Sequence, residues 1–384
     1  MRRGQPLLRC VLLSAALAAV ASTPAASAAA RGTYTDLHDF AGGVSDGVAP
    51  QASVTLDDLG NIYGTAASDA AGGLGVVFKL ASDGTQTVLH SFSGSDGSAP
   101  LGGMVFMGTA LYGTTSLGGA NGDGVLFKLS ENGNYEVLHN FSNNTDGRFA
   151  EGTLIRDKLG NLYGTASAGG TYDYGTVFKY GFDGTFTVLH AFHDVDGRYP
   201  SRGVVPDKDG NLYGATREGG DHDAGTVFKL APNGQVTTLH SFSGWDGAYP
   251  YGRLDIDTDG NLYGATTNGG PNNVGTVFKV APDGTFATLY TFTGDRHGGE
   301  PESDVLFAGG KVYGTTLVGG AQSCWCGVVY EITPAGKAKV LHAFTGTDGG
   351  GFSAGLVRRS HVFYGTTIAF GAHSKGVVFR LTKR

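Results

Sequence analysis

The sequence predicts an all-β protein: a seven-bladed β-propeller of four-stranded blades, closed by its N-terminal strand pairing with the C-terminal blade. Three observations predict it. The pair Tyr-Gly recurs at Tyr63, Tyr112, Tyr163, Tyr213, Tyr263, Tyr313 and Tyr364, at intervals of 49 to 51 residues. Two further elements keep the same beat. A Leu-His/Tyr-x-Phe run ends at Phe40, Phe92, Phe141, Phe192, Phe242, Phe292 and Phe344, and an apolar-aromatic run recurs around Phe78, Phe127, Phe178, Phe228, Phe278, Tyr330 and Phe379. Finally, the last unit stops one strand short, while the first element after the N-terminal segment is a strand without a unit.

Each unit reads as strands a to d. In the fifth, GRLDIDTDG is strand a, NLYGATT strand b, GTVFKV strand c and FATLYTF strand d. The bends DTDGN and APDGT are hairpin turns, in which Asp-Gly supplies the positive φ such turns need. DKDGN and DTDGN are too short, and lack the distal glutamate, for calcium loops. The 66 glycines stand in register with Val, Phe, Tyr and Leu, so they mark turns between strands rather than low complexity. At the end of the chain, GVVFRLTKR is a strand c with no strand d after it. TYTDLHDF, in a closing segment over 33–41, is an isolated strand d, and placing it there completes the seventh blade and removes an exposed edge. Blades are expected at 49–96, 99–146, 149–196, 199–246, 249–297, 300–348 and 352–384, in one propeller over 29–384.

Residues 1–28 read as a cleaved signal peptide. MRRGQPLLR is its basic region, CVLLSAALAAVA its apolar region, and STPAASA supplies small residues for cleavage after Ala28. The apolar run is too short for a comfortable membrane span. Loss of Arg2, Arg3 and Arg9 takes the formal charge from -7 to -10. An acidic exported chain argues against nucleic-acid binding and against attraction to anionic membranes. The expectation is an exported monomer, periplasmic or secreted, with no membrane insertion. Cys324 and Cys326 remain, in Cys-Trp-Cys-Gly. A disulfide closing a very small ring is the plainer reading, since the nearby sequence supplies no further metal ligands.

The run YGTT/YGAT, then GG, GTVFKL and TVLHSF, resembles the Gloeobacter/Verrucomicrobia-type (GloVer) tandem repeat of exported bacterial proteins. The resemblance covers nearly all of 33–384 and implies a propeller-like exported protein; it implies no chemistry. Many relatives look like surface proteins with C-terminal anchors. This chain ends in FRLTKR without an apolar tail, which argues against that attachment.

Positions repeated in every blade are read as structural. His38, His90, His139, His190, His240 and His342 share one place in strand d, with Tyr290 as substitute. They would lie far apart round a ring, so they are read as hydrogen-bonded core groups wedged between blades rather than metal ligands. Asp46, Asp96, Asp146, Asp196, Asp246 and Asp348 precede glycine and are read as turn residues.

Function is expected where blades differ. The b–c and d–a loops share one face and carry the variation. Strand a lines the channel and opens with small residues, except for Arg202, Arg253 and Asp304. Nearby loops add Arg198, Tyr199, Tyr249, Tyr251, His297, Glu300 and Glu302. The b–c loops add Tyr172, Tyr174, Arg217, Glu218, Asp221, His222 and Asp223. Arginine beside aromatic rings at a concave mouth suits an acidic sugar. The first reading is therefore a recognition protein with one dominant site for an extracellular acidic glycan or cell-surface ligand. Its ligand-binding residues would be Arg198, Arg202, Arg217, Arg253, Glu218, Tyr249, Glu300 and Glu302. The second is a polysaccharide lyase acting on a uronic-acid polymer at the same site. There an arginine neutralises the carboxylate, His222 or His297 is the base, and Tyr172, Tyr174, Tyr199 or Tyr251 protonates the leaving oxygen. Paired-carboxylate hydrolysis through Glu218 and Glu300 is less motivated. The third is a protein-interaction scaffold. No metal site and no organic cofactor are expected, and the spacing of Asp221 and Asp223 is unspecific for a cation.

Overall fold

The computed structural model of the chain describes residues 32–43, 45–68, 73–200, 202–351 and 354–383. The expected signal peptide and its cleavage point lie outside the described residues. Every regular element among those described is a strand. The strands form seven antiparallel sheets arranged as a seven-bladed propeller. Blade 5 is representative, with strand a at Asp255–Ile256, b at Leu262–Thr266, c at Thr276–Val280 and d at Phe286–Thr291.

The ring closes as expected. Blade 7 consists of Val357–Arg359, Val362–Thr367 and Val377–Thr382, with Thr33–Asp39 on its outer edge. The register runs from Thr33 opposite Thr382 to Asp39 opposite Val377. Phe40 then donates its backbone N–H to the carbonyl of Gly376, 3.0 Å away. Thr33–Asp39 and Val377–Thr382 thus share one sheet, and among the described residues every blade has its four strands.

An aromatic zipper holds neighbouring blades together. Each strand-d phenylalanine packs against the strand-c aromatic of the next blade: Phe40 on Phe78, Phe92 on Phe127, Phe141 on Phe178, Phe192 on Phe228, Phe242 on Phe278, Phe292 on Tyr330 and Phe344 on Phe379, with centroids 5.0 to 5.6 Å apart. These edge-to-face contacts exclude water almost completely. The glycine of each Tyr-Gly pair is explained by the same aromatic. A Cβ on Gly264 would lie 2.3 Å from Phe278 Cζ, and one on Gly64 would lie 2.5 Å from Phe78 Cζ. Only a bare backbone lets the ring lie this close.

The histidines and the Asp-Gly aspartates, read separately in the sequence, are one device. His38 bonds Asp46 at 2.6 Å, His90 Asp96 at 3.0 Å, His139 Asp146 at 2.6 Å, His190 Asp196 at 2.8 Å, and both His240 with Asp246 and His342 with Asp348 at 2.9 Å. Each of these aspartates also accepts a backbone N–H just after strand d, for example Ser243 N onto Asp246. The aspartate therefore staples the d–a turn, and its histidine anchors the staple. Four of the imidazoles stack on an aromatic of the following blade, as His240 does on Phe286 at 3.8 Å. In blade 5, Tyr290 replaces the histidine and His297 stands before the glycine in place of the aspartate; Asp295 holds the ring and backbone N–H of His297.

Candidate functional site

The d–a and b–c loops meet on one face of the disc through recurrent bridges, such as Val48 with Ser68 and Ala248 with Asn268. In blade 4 this contact grows into a short strand, Arg198–Pro200, along an extended strand b, Leu212–Glu218. Each arm then passes through one residue with left-handed backbone: Ala49, Ala99, Phe149, Tyr199, Tyr249 and Glu300, with φ between 50 and 57°. Blade 7 has Gly351 there, at φ 66°. The bend turns the arm inward toward the channel. Its N–H is fixed by the preceding blade, as when Tyr249 donates to the carbonyl of Ala224 at 2.9 Å. The scaffold is thus identical around the ring, while the side chains at the bend are not.

A cavity of about 530 Å³ opens on this face across blades 3, 4 and 5. It is lined by Arg148, Phe149, Glu151, Gly152, Thr165, Ser167, Ala168, Tyr199, Pro200, Arg202, Arg217, Glu218 and Tyr251. At its inner end lies Arg202, in a column otherwise occupied by the small residues Ala52, Gly102, Gly152, Gly252, Ser303 and Ala354. Its guanidinium is 4.8 Å from the centre of the Tyr251 ring, and its Nη2 donates to Tyr251 Oη at 3.5 Å. Nη1 donates across the ring to the carbonyl of Gln51 in blade 1, at 3.4 Å. The side chain is only 8% exposed, and its Nε has no partner. Among the described residues no carboxylate stands within ion-pair distance of it. Burial works against its charge, yet Tyr251, Asp304 and Glu151 outweigh that and hold its pKa above the ordinary arginine value.

Arg217, exposed at the mouth, lies 5.9 Å from the Tyr251 ring centre, so two arginines flank one aromatic. Glu151 accepts from Ser116 Oγ at 3.0 Å. Glu302 occupies the same column as Gln51, Glu151 and Tyr251. Burial pushes its carboxyl above the ordinary range; Arg202 and Arg217 draw it back, while Glu300 pushes it further. Behind the cavity, Arg253 donates its backbone N–H to Asp304 at 2.9 Å and holds its guanidinium 3.9 Å away.

The repeat places this chain among known sequences. A family model described as the Gloeobacter/Verrucomicrobia repeat matches over residues 25–142, 82–258 and 249–384. The chain belongs to that family. No curated protein matches it in sequence. Among solved structures it is similar to the extracellular domain of a B. thetaiotaomicron protein assigned as a hybrid two-component system, with TM-score 0.61 and 13% identity over 92% of this chain and 40% of that one. A second structure of the same extracellular domain, there assigned to a one-component system, gives TM-score 0.57 and 13% identity over 90% and 39%. The chain therefore spans about two fifths of that relative, and at this identity the likeness speaks for the fold alone.

Of the residues expected from the sequence, Tyr199, Tyr251, Arg202, Arg217 and Glu218 line the cavity, and Glu302 acts on it electrostatically. Arg198 is committed elsewhere: it pairs with Asp194, Glu218 and Asp223 and lies against Tyr174 and Tyr199. Arg253 serves Asp304. Tyr172 is exposed, edge-on to His193, and Tyr249 is exposed at its bend. His222 and Asp221 are exposed at the tip of a b–c loop, and His297 sits beside Asp295; neither histidine lines the cavity. Glu300 occupies the bend of blade 6.

Sequence reading missed Arg148, Phe149 and Glu151. The signal was present, because Arg148-Phe149 stands in the columns of Arg198-Tyr199, and Glu151 in that of Tyr251. Cys324 and Cys326 form a disulfide in the b–c loop of blade 6, away from the cavity lining. Among the described residues no group of three His, Cys, Asp or Glu is placed to share a metal ion, and no helix is long and apolar enough to cross a membrane.

Proposed function

We propose that the chain is an exported receptor with one dominant site, the cavity of blades 3 to 5, and that the site takes the carboxylate of an acidic glycan. The observation that carries this reading is Arg202: a guanidinium buried at the inner end of a cavity, with an unpartnered Nε and, among the described residues, no carboxylate within ion-pair distance. Neighbouring groups already keep this guanidinium charged, and an incoming carboxylate would add direct charge-assisted bonds at its unpartnered Nε. Phe149, Tyr199 and Tyr251 supply ring faces for a pyranose, and Arg217 adds a second positive charge at the entrance. The cavity falls in the usual size range of small-ligand sites, roughly 300–1,000 Å³.

The test is calorimetric titration of the mature protein with oligomers of galacturonate, glucuronate and mannuronate, beside their neutral counterparts. Acidic oligomers should bind and neutral ones should not. Arg202→Met should weaken binding by about 30-fold or more, the usual consequence of removing one partner of a buried charge pair. It should leave the fold intact, since a methionine replaces a buried charge with apolar volume. Acidic oligomers that bind wild type and Arg202→Met alike would remove the proposed site.

The lyase reading keeps one specific support, the contact of Tyr251 Oη with Arg202, which places a proton donor beside the carboxylate clamp. Ultraviolet absorbance of an unsaturated uronate during the same titrations would promote it over simple binding.

A further inference from the structure

Resting on the reading above, we infer that the cavity recognises the end of an acidic glycan chain, or a branch tip, and not an internal stretch. The reason is that the propeller channel is blind. Two hydrogen bonds join non-neighbouring blades beneath the mouth. Arg202 of blade 4 reaches the carbonyl of Gln51 in blade 1, and Ser53 Oγ of blade 1 donates to Asp304 Oδ2 of blade 6 at 3.3 Å. Asp304 is itself held by the Arg253 backbone N–H, and Ser53 Oγ accepts from Gly355 N at 3.0 Å. The floor therefore ties blades 4, 5, 6, 7 and 1 together across the opening.

Sterics agree with the bonding. Around the axis strand a is so crowded that a Cβ on Gly252 would lie 2.0 Å from Ser303 O, and one on Gly152 would lie 2.6 Å from the Arg202 carbonyl carbon. On this reading a polymer does not thread the opening, so whatever enters the mouth must leave by it. Arg202, which among the described residues has no carboxylate within ion-pair distance, is at the closed end and only 8% exposed. A carboxylate reaches it only if the sugar bearing it can descend into the cavity. A terminal residue has one glycosidic bond, which can point back out of the mouth. An internal residue has two, on opposite sides of its ring, and both would have to fit through the same entrance.

Chain-end counting tests this. Polygalacturonate and alginate are each cut into fractions of defined mean length, and binding to the intact mature protein is measured at equal total uronate. End recognition predicts apparent affinity per uronate that rises in proportion to the number of ends, so a trimer exceeds a thirty-residue chain about tenfold. It also predicts no more than one protein per unbranched chain end. Affinity that follows total uronate whatever the length, or several proteins bound along one chain interior, would overturn end recognition while leaving the receptor reading standing. No binding at any length of either polymer, in a preparation whose cooperative unfolding shows it folded, would overturn both.

Discussion

Blades 1 and 2 and blades 3 to 5 run their chains into the channel through the same left-handed bend, yet fill it differently. Ala49 and Ala99 occupy it in the first pair, Phe149, Tyr199 and Tyr249 in the second, at nearly the same φ. Strain at a non-glycine residue is often treated as a mark of function. Here it is not one, because the alanine blades carry it too. The bend belongs to the repeat, and the function lies in what the bend presents. The cavity forms where bulky rings and arginines replace alanine and glycine, so the difference between blades is the site.

The strongest way to break this comparison is to disturb the shared frame and the unshared side chains in turn. Phe278→Ala removes a ring that is fully buried against Phe242 and Phe286. Urea denaturation should show a loss of about 3–5 kcal/mol. Arg217→Ala, on the exposed rim, should stay within about 0.5 kcal/mol of wild type while weakening acidic-glycan binding. A rim substitution that unfolds the propeller as Phe278→Ala does would erase the division between frame and site.

Carboxylates on the two sides of that division respond oppositely to pH. In the frame, burial opposes ionisation of Asp96 and Asp246, but donors from Ser93 and Ser243 and the facing histidines win and lower both pKa values. Burial also lowers His90 and His240, with Asp96 and Asp246 resisting. Frame stability from these groups is therefore present at neutral pH. It is lost on acidification, first as the unfolded-state histidines take up protons near pH 6.5, then as pH falls through the depressed aspartate values. Glu302 at the mouth is the reverse. Its raised folded pKa favours the protonated native form, so its cost grows as pH rises from the ordinary carboxylate range through that value. Glu302→Gln should be more stable than wild type at about pH 7–8, and the gap should close near pH 4. A gap that stays constant across that range would show the carboxyl is not perturbed.

The frame was legible in the sequence because it is written seven times. Tyr-Gly, the strand-d phenylalanine and the missing last strand fixed blade number, strand order and closure. The histidine–aspartate staple was half legible: both columns were visible, but not that they touch, because six to eight residues of turn separate them. The site was less legible. Arg202 stood out as a departure from a small-residue column and Tyr251 as an aromatic ring in a nearby loop, and they converge. Arg198, equally conspicuous, is drawn away by Asp194, Asp223 and Glu218, since an arginine's partners are decided by three-dimensional neighbours rather than by its column. Arg148 and Phe149 were passed over because blade 3 was judged by its b–c loop, although its d–a arm faces the same cavity.

The subtlest test sharpens the comparison at the bend itself. A side chain in the left-handed region costs roughly 1–2 kcal/mol, and glycine gives back about 0.5–1 kcal/mol through the greater freedom of its unfolded chain. Ala99→Gly should therefore stabilise the protein by a few tenths to about 1 kcal/mol, read as a small rise in denaturation midpoint at constant slope. Tyr249→Gly receives the same backbone relief and loses the ring. The difference between the two exchanges measures what the tyrosine contributes to the folded frame, separately from what it contributes to a ligand. Equal gains would show that the Tyr249 ring contributes nothing to the folded frame. Destabilisation by Ala99→Gly would show instead that the alanine bend is unstrained, and the equivalence of the two sets of blades would fail at its first term.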